Sequence, residues 1–318
     1  SPPDGEELLR QLVRLKSNGV STVLITHKLR EALTVADRVT VLRQGRVVFS
    51  GPVKGQTAES LAAHMLGEAV HASPTMRAGG ASGPTIVRVQ SLSMLRLEPS
   101  GSGLRDASLT LRAGELVGVA AVEGNGQREL FRAIAGLAPP ASGTVEVEHP
   151  VSFVPEDRTA EALLEDFTLT ENLVLSQGAA APWIQGPWVQ WRRAAARTGE
   201  LISAFGVRAP GPGAAAGSLS GGNQQRMLIA QALERKPRVL LAENPTRGLD
   251  LKAADEVTRR LADAASSGVG VLVHLPDLDD LLGLVTRLVV MFDGRVIEVE
   301  PGSSRERIGQ LMLGAERS

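Results

Sequence analysis

The sequence contains no cysteine, and this absence excludes two kinds of chemistry. Without thiols the chain forms neither a disulfide framework nor a thiolate nucleophile, a composition compatible with a reducing cytoplasm. The sequence also has no apolar run of the length that a bilayer requires, and Ser1–Glu6 do not follow a signal-peptide pattern. We therefore expect any membrane role to come through a partner.

An excess of charge of one sign is also lacking. The 318 residues include 34 basic and 35 acidic side chains, so the sequence offers no electrostatic basis for binding nucleic acid. Hydrophobic residues make up 43% of the chain, which is enough for a sizeable core and for more than one domain.

An internal repeat is present. Residues 6–48 align without a gap on residues 255–297, at a constant offset of 249 (255 minus 6), and both copies continue to Met-Leu-Gly at 65–67 and 312–314. A single offset over such a span indicates a duplication. The identical pairs include Glu7/Glu256, Arg10/Arg259, Leu12/Leu261, Gly19/Gly268, Val20/Val269, Leu29/Leu278, Leu33/Leu282, Arg38/Arg287, Gly45/Gly294, Arg46/Arg295 and Val47/Val296.

The repeat predicts the domain organisation. We expect the C-terminal part of a first copy at 1–70, a Pro/Gly/Ala/Ser-rich linker at 71–84 and a complete second copy at 85–318. At the same offset Ser1 aligns with Asp250, so we expect the first copy to lack everything upstream of that point.

Hydrophobic periodicity predicts alternating strands and helices, and hence an α/β fold with a largely parallel sheet. A helical subdomain is expected at about 160–215. In the first copy the predicted elements are a helix at 6–16, a buried strand at 22–26, a helix at 29–36 and a hairpin of 39–42 with 46–49 about Gln44-Gly45. In the second copy the predicted strands are 85–89, 108–111, 116–120, 151–154, 239–242 and 269–273.

Ser220-Gly221-Gly222 stands before a run of helix-forming residues. Two glycines let the backbone approach an anion closely, and the start of a helix presents free N–H groups to it. A plain serine-capped helix would look the same, so these three residues alone do not indicate a phosphate site.

A second glycine-rich loop follows the strand at 116–120. It has the strand–loop–helix context of a phosphate-binding loop, but the pattern G-x-x-x-x-G-K-[ST] is incomplete. Ala121 replaces the first glycine, Gln127 replaces the lysine, and Arg128 replaces the hydroxyl residue. Gly124 and Gly126 keep the ability to cradle phosphate through backbone N–H groups, so weak nucleotide binding stays open.

Two segments carry a family resemblance. The run from Leu219 to Arg226, LSGGNQQR, and the run from Glu243 to Asp250, ENPTRGLD, resemble the signature loop, Walker B strand and D-loop of an ABC-type ATPase cassette. The signature is similar to that of sugar and nucleoside importers. The resemblance assigns ATP contacts to Leu219, Ser220, Gly221, Gly222, Asn223 and Gln224, and a degenerate phosphate loop to Gly124, Asn125, Gly126, Gln127, Arg128 and Glu129.

The resemblance also implies that the second copy has lost catalytic groups. Glu243 and Asn244 stand where a Walker B strand ends in Asp-Glu, and an amide cannot act as a general base. Glu243 could still hold a magnesium-bound water. Glu156 takes the place of a Q-loop glutamine, and Pro276 the place of the switch histidine; we interpret the nearby His274 as structural.

His27, in the first copy, aligns with the histidine of the H-loop. In a head-to-tail pair of cassettes, the resemblance implies that His27 and Ser220–Gly222 serve the same ATP, whose Walker motifs lie outside this chain. We therefore expect the isolated chain to hydrolyse ATP no faster than background.

The function implied is that of the ATP-binding subunit of a bacterial importer of a sugar, a nucleoside or a related small polar solute. The drifted loops favour the nucleoside branch. ATP and Mg²⁺ would bind in the assembled subunit, at the inner face of the membrane. Its partners would be two permease subunits, contacted near 156–173, and an extracytoplasmic solute-binding protein.

Two other functions compete with this one. A catalytically silent scaffold or pseudo-ATPase remains the alternative. An ABC protein of translation or DNA repair would carry a basic arm or long heptads, and the sequence shows neither.

Overall fold

The structure, a computed structural model, describes residues 2–26, 29–43, 46–57, 60–61, 64, 83–97, 101–178 and 181–314. The chain divides into two compact units, the first formed mainly by residues 1–73 and the second mainly by residues 74–249 and 253–318.

A six-stranded mixed sheet lies at the centre of the second unit. Its strands are β5 (Leu116–Ala121), β7 (Val151–Val154), β10 (Val239–Glu243), β11 (Gly270–His274), β12 (Arg287–Phe292) and β13 (Arg295–Glu298). The strand order is β13-β12-β5-β11-β10-β7, and all neighbours are parallel except β12 and β13. Three central strands, β5, β10 and β11, are buried at every position, and apart from Glu243 and His274 at the ends of β10 and β11 they carry no polar side chain.

Helices and a second sheet cover the central sheet. The second sheet is antiparallel and consists of β4 (Leu104–Arg112), β3 (Thr85–Met94) and β6 (Ser142–Val147), in that order. The main helices of the second unit are α3 (Gln127–Ile134), α7 (Gly221–Glu234), α8 (Leu251–Ser266), α9 (Leu278–Leu284) and α10 (Arg305–Met312). The α/β fold with a largely parallel sheet is thereby confirmed.

The predicted helical subdomain is present, with one departure. Its helices are α4 (Arg158–Glu161), α5 (Leu169–Gln177) and α6 (Trp191–Ala204), followed by a 3₁₀ turn at Ala216–Ser218. A short hairpin of β8 (Ile184–Gln185) and β9 (Trp188–Val189) interrupts the helices. Gly186, at φ 56°, makes the tight turn possible.

The first unit repeats the element order of part of the second. It contains α1 (Pro2–Ser17), α2 (Leu29–Val35), β1 (Arg38–Arg43) and β2 (Arg46–Pro52). Adding 249 to the bounds of α1, α2 and β1 gives the bounds of α8, α9 and β12. The antiparallel pairs Leu42↔Val47 and Met291↔Val296 also correspond at this offset.

One predicted element is wrong. Residues 22–26 do not form a strand, and Val23 and Ile25 are 92% and 95% exposed. At the repeat offset this segment aligns with β11, which lies between β5 and β10. Within the described part of the first unit no strand pairs with 22–26, so the apolar residues have neither a ladder nor a core to join.

Some predictions fall on residues outside the described ranges. These are His27, the Gln44-Gly45 turn, and the linker apart from Gly83 and Pro84. Across the residues that are described, none of the helices has both the length and the apolar character needed to span a bilayer.

Candidate functional site

The loop between β5 and α3, which resembles a phosphate-binding loop in sequence, has two glycines with positive φ. Gly124 and Gly126 adopt φ of 84° and 97°, a region that favours glycine. Gly126 is also crowded, because a Cβ there would lie 3.1 Å from the Gly103 carbonyl oxygen and 3.2 Å from the Gly294 Cα. Backbone shape and close packing therefore both require glycine at 126.

Two other segments hold this loop by hydrogen bonds. Ser102 N–H donates to the Gly124 carbonyl oxygen at 2.6 Å, and Gly294 N–H donates to the Asn125 carbonyl oxygen at 3.1 Å. The Asn125 side chain accepts from the backbone N–H of Asp293 at 2.8 Å. The loop is thus fixed from both sides without any contribution from a bound ligand.

The side chains that follow the loop do not supply a free positive charge. Gln127 is buried, and its Oε1 has no hydrogen-bond partner among the described residues. Arg128 forms an ion pair with Glu161 at 2.8 Å. Glu129 accepts from the backbone N–H of Leu97 at 2.8 Å and so serves the local structure.

A second arginine, Arg132, lies directly on the carboxylate of Glu243, the predicted Walker B residue. Glu243 ends β10 and is buried, and Arg132 Nη1 donates to both of its oxygens at 3.1 and 3.3 Å. Arg132 Nη2 donates to Glu161 at 2.6 Å. Burial raises the pKa of Glu243, whereas the charge and hydrogen bonds of Arg132 act to lower it. Glu243 therefore has an internal cation as its partner.

Asn244 is engaged in a different contact. Its backbone is left-handed at φ 43°, and its Nδ2 donates to Glu156 Oε1 at 3.1 Å. Arg247 Nη1 donates to the same oxygen at 2.8 Å. Glu156, which was predicted to take the place of a Q-loop glutamine, thus joins the end of β10 to the turn that leads to Asp250, and both donors suit a carboxylate.

Pro276, at the predicted switch position, has no polar or titratable side-chain group. Pro276 is exposed just beyond β11. His274, two residues earlier, is buried with its Nδ1 at 2.8 Å from the Val119 carbonyl oxygen. Burial lowers the pKa of His274. His274 is thus neutral in the core, as a structural role requires.

The loop at Leu219–Gln224, the predicted signature loop, lies at an open helix start. Ser220 is the exposed N-cap of α7, and its side chain makes no capping bond to the helix. Instead Asn223 Nδ2 donates to the Ser220 Oγ at 2.8 Å, and the Asn223 Oδ1 accepts from the Arg208 N–H at 2.9 Å. Leu219 is buried beside the loop and anchors it.

Arg158 connects the signature loop to the Q-loop region. Its Nε donates to Gln224 Oε1 at 3.1 Å, while Gln224 Nε2 donates to the Ala216 carbonyl oxygen. A Cβ on Gly221 would lie 2.5 Å from Arg158 Nη2, whereas one on Gly222 would make an ordinary 3.6 Å contact with the Ala253 Cβ. Gly221 therefore leaves room for Arg158.

The sequence interpretation missed Arg132 and Arg158. The available signal for Arg132 is a charged residue within the apolar run Leu130, Phe131, Ala133, Ile134 of α3. For Arg158 no pattern in the sequence points across 66 residues to Gln224. Among the described residues no cluster of three or more histidines and carboxylates is arranged to hold a metal ion.

Solved structures with this fold are ATP-binding cassettes. One is a dimeric cassette in a post-hydrolysis state with ADP and phosphate, which matches with a TM-score of 0.58 at 21% identity over 68% of this chain and 99% of that one. Residues 104–247 match the family model described as ABC transporter. The fold is that of an ATP-binding cassette.

Curated relatives of the chain are named as import proteins. The nucleoside import ATP-binding protein NupA of Lactococcus lactis is 34% identical over 99% of this chain, and the glucose import ATP-binding protein TsgD13 of Haloferax volcanii is likewise 34% identical over 99%. The guanosine import ATP-binding protein NupO of Bacillus subtilis is 33% identical. The chain spans 65%, 60% and 64% of these three relatives.

Proposed function

We propose that this chain belongs to the ATP-binding subunit of an ABC importer for a small polar solute, a sugar or a nucleoside. The names of NupA, TsgD13 and NupO support this class of solute. The proposal places the chain at the inner face of a membrane, with two permease subunits and an extracytoplasmic solute-binding protein as partners. The helical region near 156–173 is the proposed permease contact.

Within that subunit, we propose that the cassette at 85–318 supplies its signature loop to an ATP held by a partner site and does not hydrolyse ATP itself. One contrast supports this division: the helix start at Ser220 is exposed and uncapped, whereas the carboxylate of Glu243 is bound to Arg132. Ser220, Gly221 and Gly222 would offer hydroxyl and N–H donors to the phosphates of that ATP.

The proposal includes a tandem duplication of the cassette. The coincident bounds of α1, α2 and β1 with α8, α9 and β12 support it, since unrelated segments would not share one offset. His27, proposed as the H-loop histidine of the competent site, lies outside the described residues. Asp250, in the proposed D-loop, directly precedes α8.

Transport by the assembled importer tests the proposal. Ser220→Arg places a long cation where the loop would meet phosphate, and we expect it to abolish solute uptake and ATP hydrolysis. Gln127→Ala, in the cassette's own loop, is expected to leave both within about threefold, because residues outside the reacting site change activity little. Equal losses from the two variants would contradict the division of roles.

The same assay separates the silent scaffold from the importer. A scaffold predicts that uptake is unaffected by Ser220→Arg, because no ATP would meet the loop. We favour the importer because Ser220 is exposed and makes no capping bond to α7, so the start of this helix is available to an anion.

A further inference from the structure

The ABC fold implies a magnesium ion beside the nucleotide, and the residues of this cassette are poorly suited to one. In P-loop ATPases the ion is held by the hydroxyl of the residue after the loop lysine and by the Walker B carboxylate. Mg²⁺ requires oxygen ligands in near-octahedral geometry. Arg128 at the hydroxyl position provides no oxygen, so one of the two protein ligands is missing from the outset.

The other candidate ligand, the carboxylate of Glu243, is already paired with the guanidinium of Arg132. Both oxygens of Glu243 accept from Arg132 Nη1, at 3.1 and 3.3 Å, and the two side chains are only 3% and 9% exposed. A divalent ion at this carboxylate would have to displace a buried guanidinium or lie against it, and like charges in a desolvated site repel strongly.

Arg132 is itself held in position. Its Nη2 donates to Glu161 at 2.6 Å, and its guanidinium lies 5.6 Å from the centre of the Phe153 ring. Glu161 also receives Arg128 at 2.8 Å. Two guanidinium groups and two carboxylates thus form a charge-balanced network, and a further two positive charges would unbalance it.

We infer that Arg132 takes the place of the divalent ion in this cassette and excludes Mg²⁺ from its nucleotide site. The inference deepens the proposed function, because it gives a physical reason why the cassette's own site would not hydrolyse ATP. It concerns metal binding by this chain alone, so it can fail while the role of the signature loop stands.

Manganese is a suitable probe, since it replaces Mg²⁺ at oxygen sites and gives an electron paramagnetic resonance signal. We would titrate Mn²⁺ into the 318-residue chain with and without ATP. The expected result for the wild type is no protein-dependent Mn²⁺ signal in either condition beyond that of Mn²⁺ and ATP alone. A wild-type signal that Glu243→Gln removes would overturn the inference.

A matched pair of variants tests the role of Arg132. Arg132→Met frees Glu243, and we expect a protein-dependent Mn²⁺ site at least about tenfold tighter than in the wild type, lost again in Arg132→Met/Glu243→Gln. Arg128→Met removes a neighbouring positive charge but leaves Arg132 on Glu243, and should create no such site. If a folded Arg132→Met chain, checked by circular dichroism, binds no Mn²⁺, Arg132 is not what excludes the metal.

An Arg132→Met chain that does not fold would leave the wild-type titration as the deciding measurement. Failure of the proposed function would appear elsewhere, as uptake that is insensitive to Ser220→Arg. The Mn²⁺ signal has no part in that assay, so the two outcomes are separable.

Discussion

At the scale of single residues, the polar side chains of the candidate site are matched to one another as donors and acceptors. The amide of Asn244 donates to Glu156, which a glutamate at 244 could not do. Arg132 neutralises Glu243, which would otherwise be a buried and unpaired carboxylate. The site is therefore a connected set of hydrogen bonds and ion pairs, and replacing one residue by its catalytic equivalent disturbs its neighbour.

Asn244→Glu, which places a carboxylate at the predicted general-base position, should accordingly destabilise the chain. The new carboxylate would face Glu156 at about hydrogen-bonding distance, and we expect a loss of about 1–3 kcal/mol at pH 8. Urea unfolding measures it. Asn244→Glu/Glu156→Gln should recover most of the loss, and the single variant should recover part of it at pH 5. A single variant as stable as wild type at pH 8 would contradict this account.

His274 makes a pH-dependent contribution of known sign. Burial lowers its pKa in the folded chain below the usual value of 6.5, so the unfolded chain takes up this proton first as the pH falls. The contribution is complete above pH 6.5 and declines as the pH falls from 6.5 toward the folded pKa. We expect the melting temperature of the wild type to fall more between pH 7 and pH 5.5 than that of His274→Gln. Parallel losses in the two proteins would show that His274 has no part in it.

At the scale of elements, helix α7 is linked to the Q-loop region through Arg158. The guanidinium reaches both Gln224 and the carbonyl oxygen of Arg247, at 3.1 and 3.4 Å, so one side chain joins the signature helix to the turn after β10. The space for this side chain comes from Gly221. Gly221 is therefore small to leave room for Arg158, whereas the surroundings of Gly222 would accept a Cβ in an ordinary contact.

The variants Gly221→Ala and Gly222→Ala test this difference between the two glycines. Both changes remove a glycine from the first turn of α7 and so affect backbone entropy similarly. Only Gly221→Ala displaces Arg158, and we expect that variant to be less stable than Gly222→Ala by about 1 kcal/mol, the worth of a lost hydrogen bond. Thermal unfolding of both variants measures the difference. Introducing Arg158→Ala into each should abolish it.

The sequence predicted the buried elements best. Strands β5, β7, β10 and β11 were predicted to within one residue at each end, because continuous apolar runs bounded by turn residues are typical of a parallel sheet. Strand β6 was not predicted: most of its positions are exposed, and Ser142–Val147 show no apolar run.

The same reasoning failed at 22–26, where the residues suit a strand but the described first unit offers no partner. Periodicity reports what a segment can form, and pairing decides whether it does. In the candidate site the loops were predicted from their spacing. The contacts of Arg132 and Arg158 could not be, since they depend on packing between distant segments.

At the scale of the whole molecule, the chain presents the same element order in two settings. In the second unit, β11 connects α8 to α9 and is buried between two parallel strands. In the first unit, 22–26 lies between α1 and α2, and the side chains of 22–25 are exposed. The two segments provide a comparison within one molecule of the same kind of sequence with and without a sheet.

Amide hydrogen exchange should distinguish the two settings. We expect amides of 22–26 to exchange within seconds, because this segment joins no sheet in the described part of the first unit, while those of β11, β5 (116–120) and β10 (239–242) are protected by global stability. Mass spectrometry on a monomeric sample, with peptides covering 22–26 and 271–275, measures both in one experiment. Strong protection of 22–26 would show that the segment is paired in solution.

The contacts that hold the loop between β5 and α3 affect how the residues of this site can change over time. The curve of the loop depends on main-chain groups of Ser102, Asn125 and Gly294 and on the crowding of Gly126 against Gly103. None of these is a side chain that would act on phosphate. The shape of the loop and its chemistry are thus encoded by separate residues, so changes at 127 and 128 leave that shape intact. Under the proposed division of roles, the cassette would still hold the loop at Leu219–Gln224 in a fixed position.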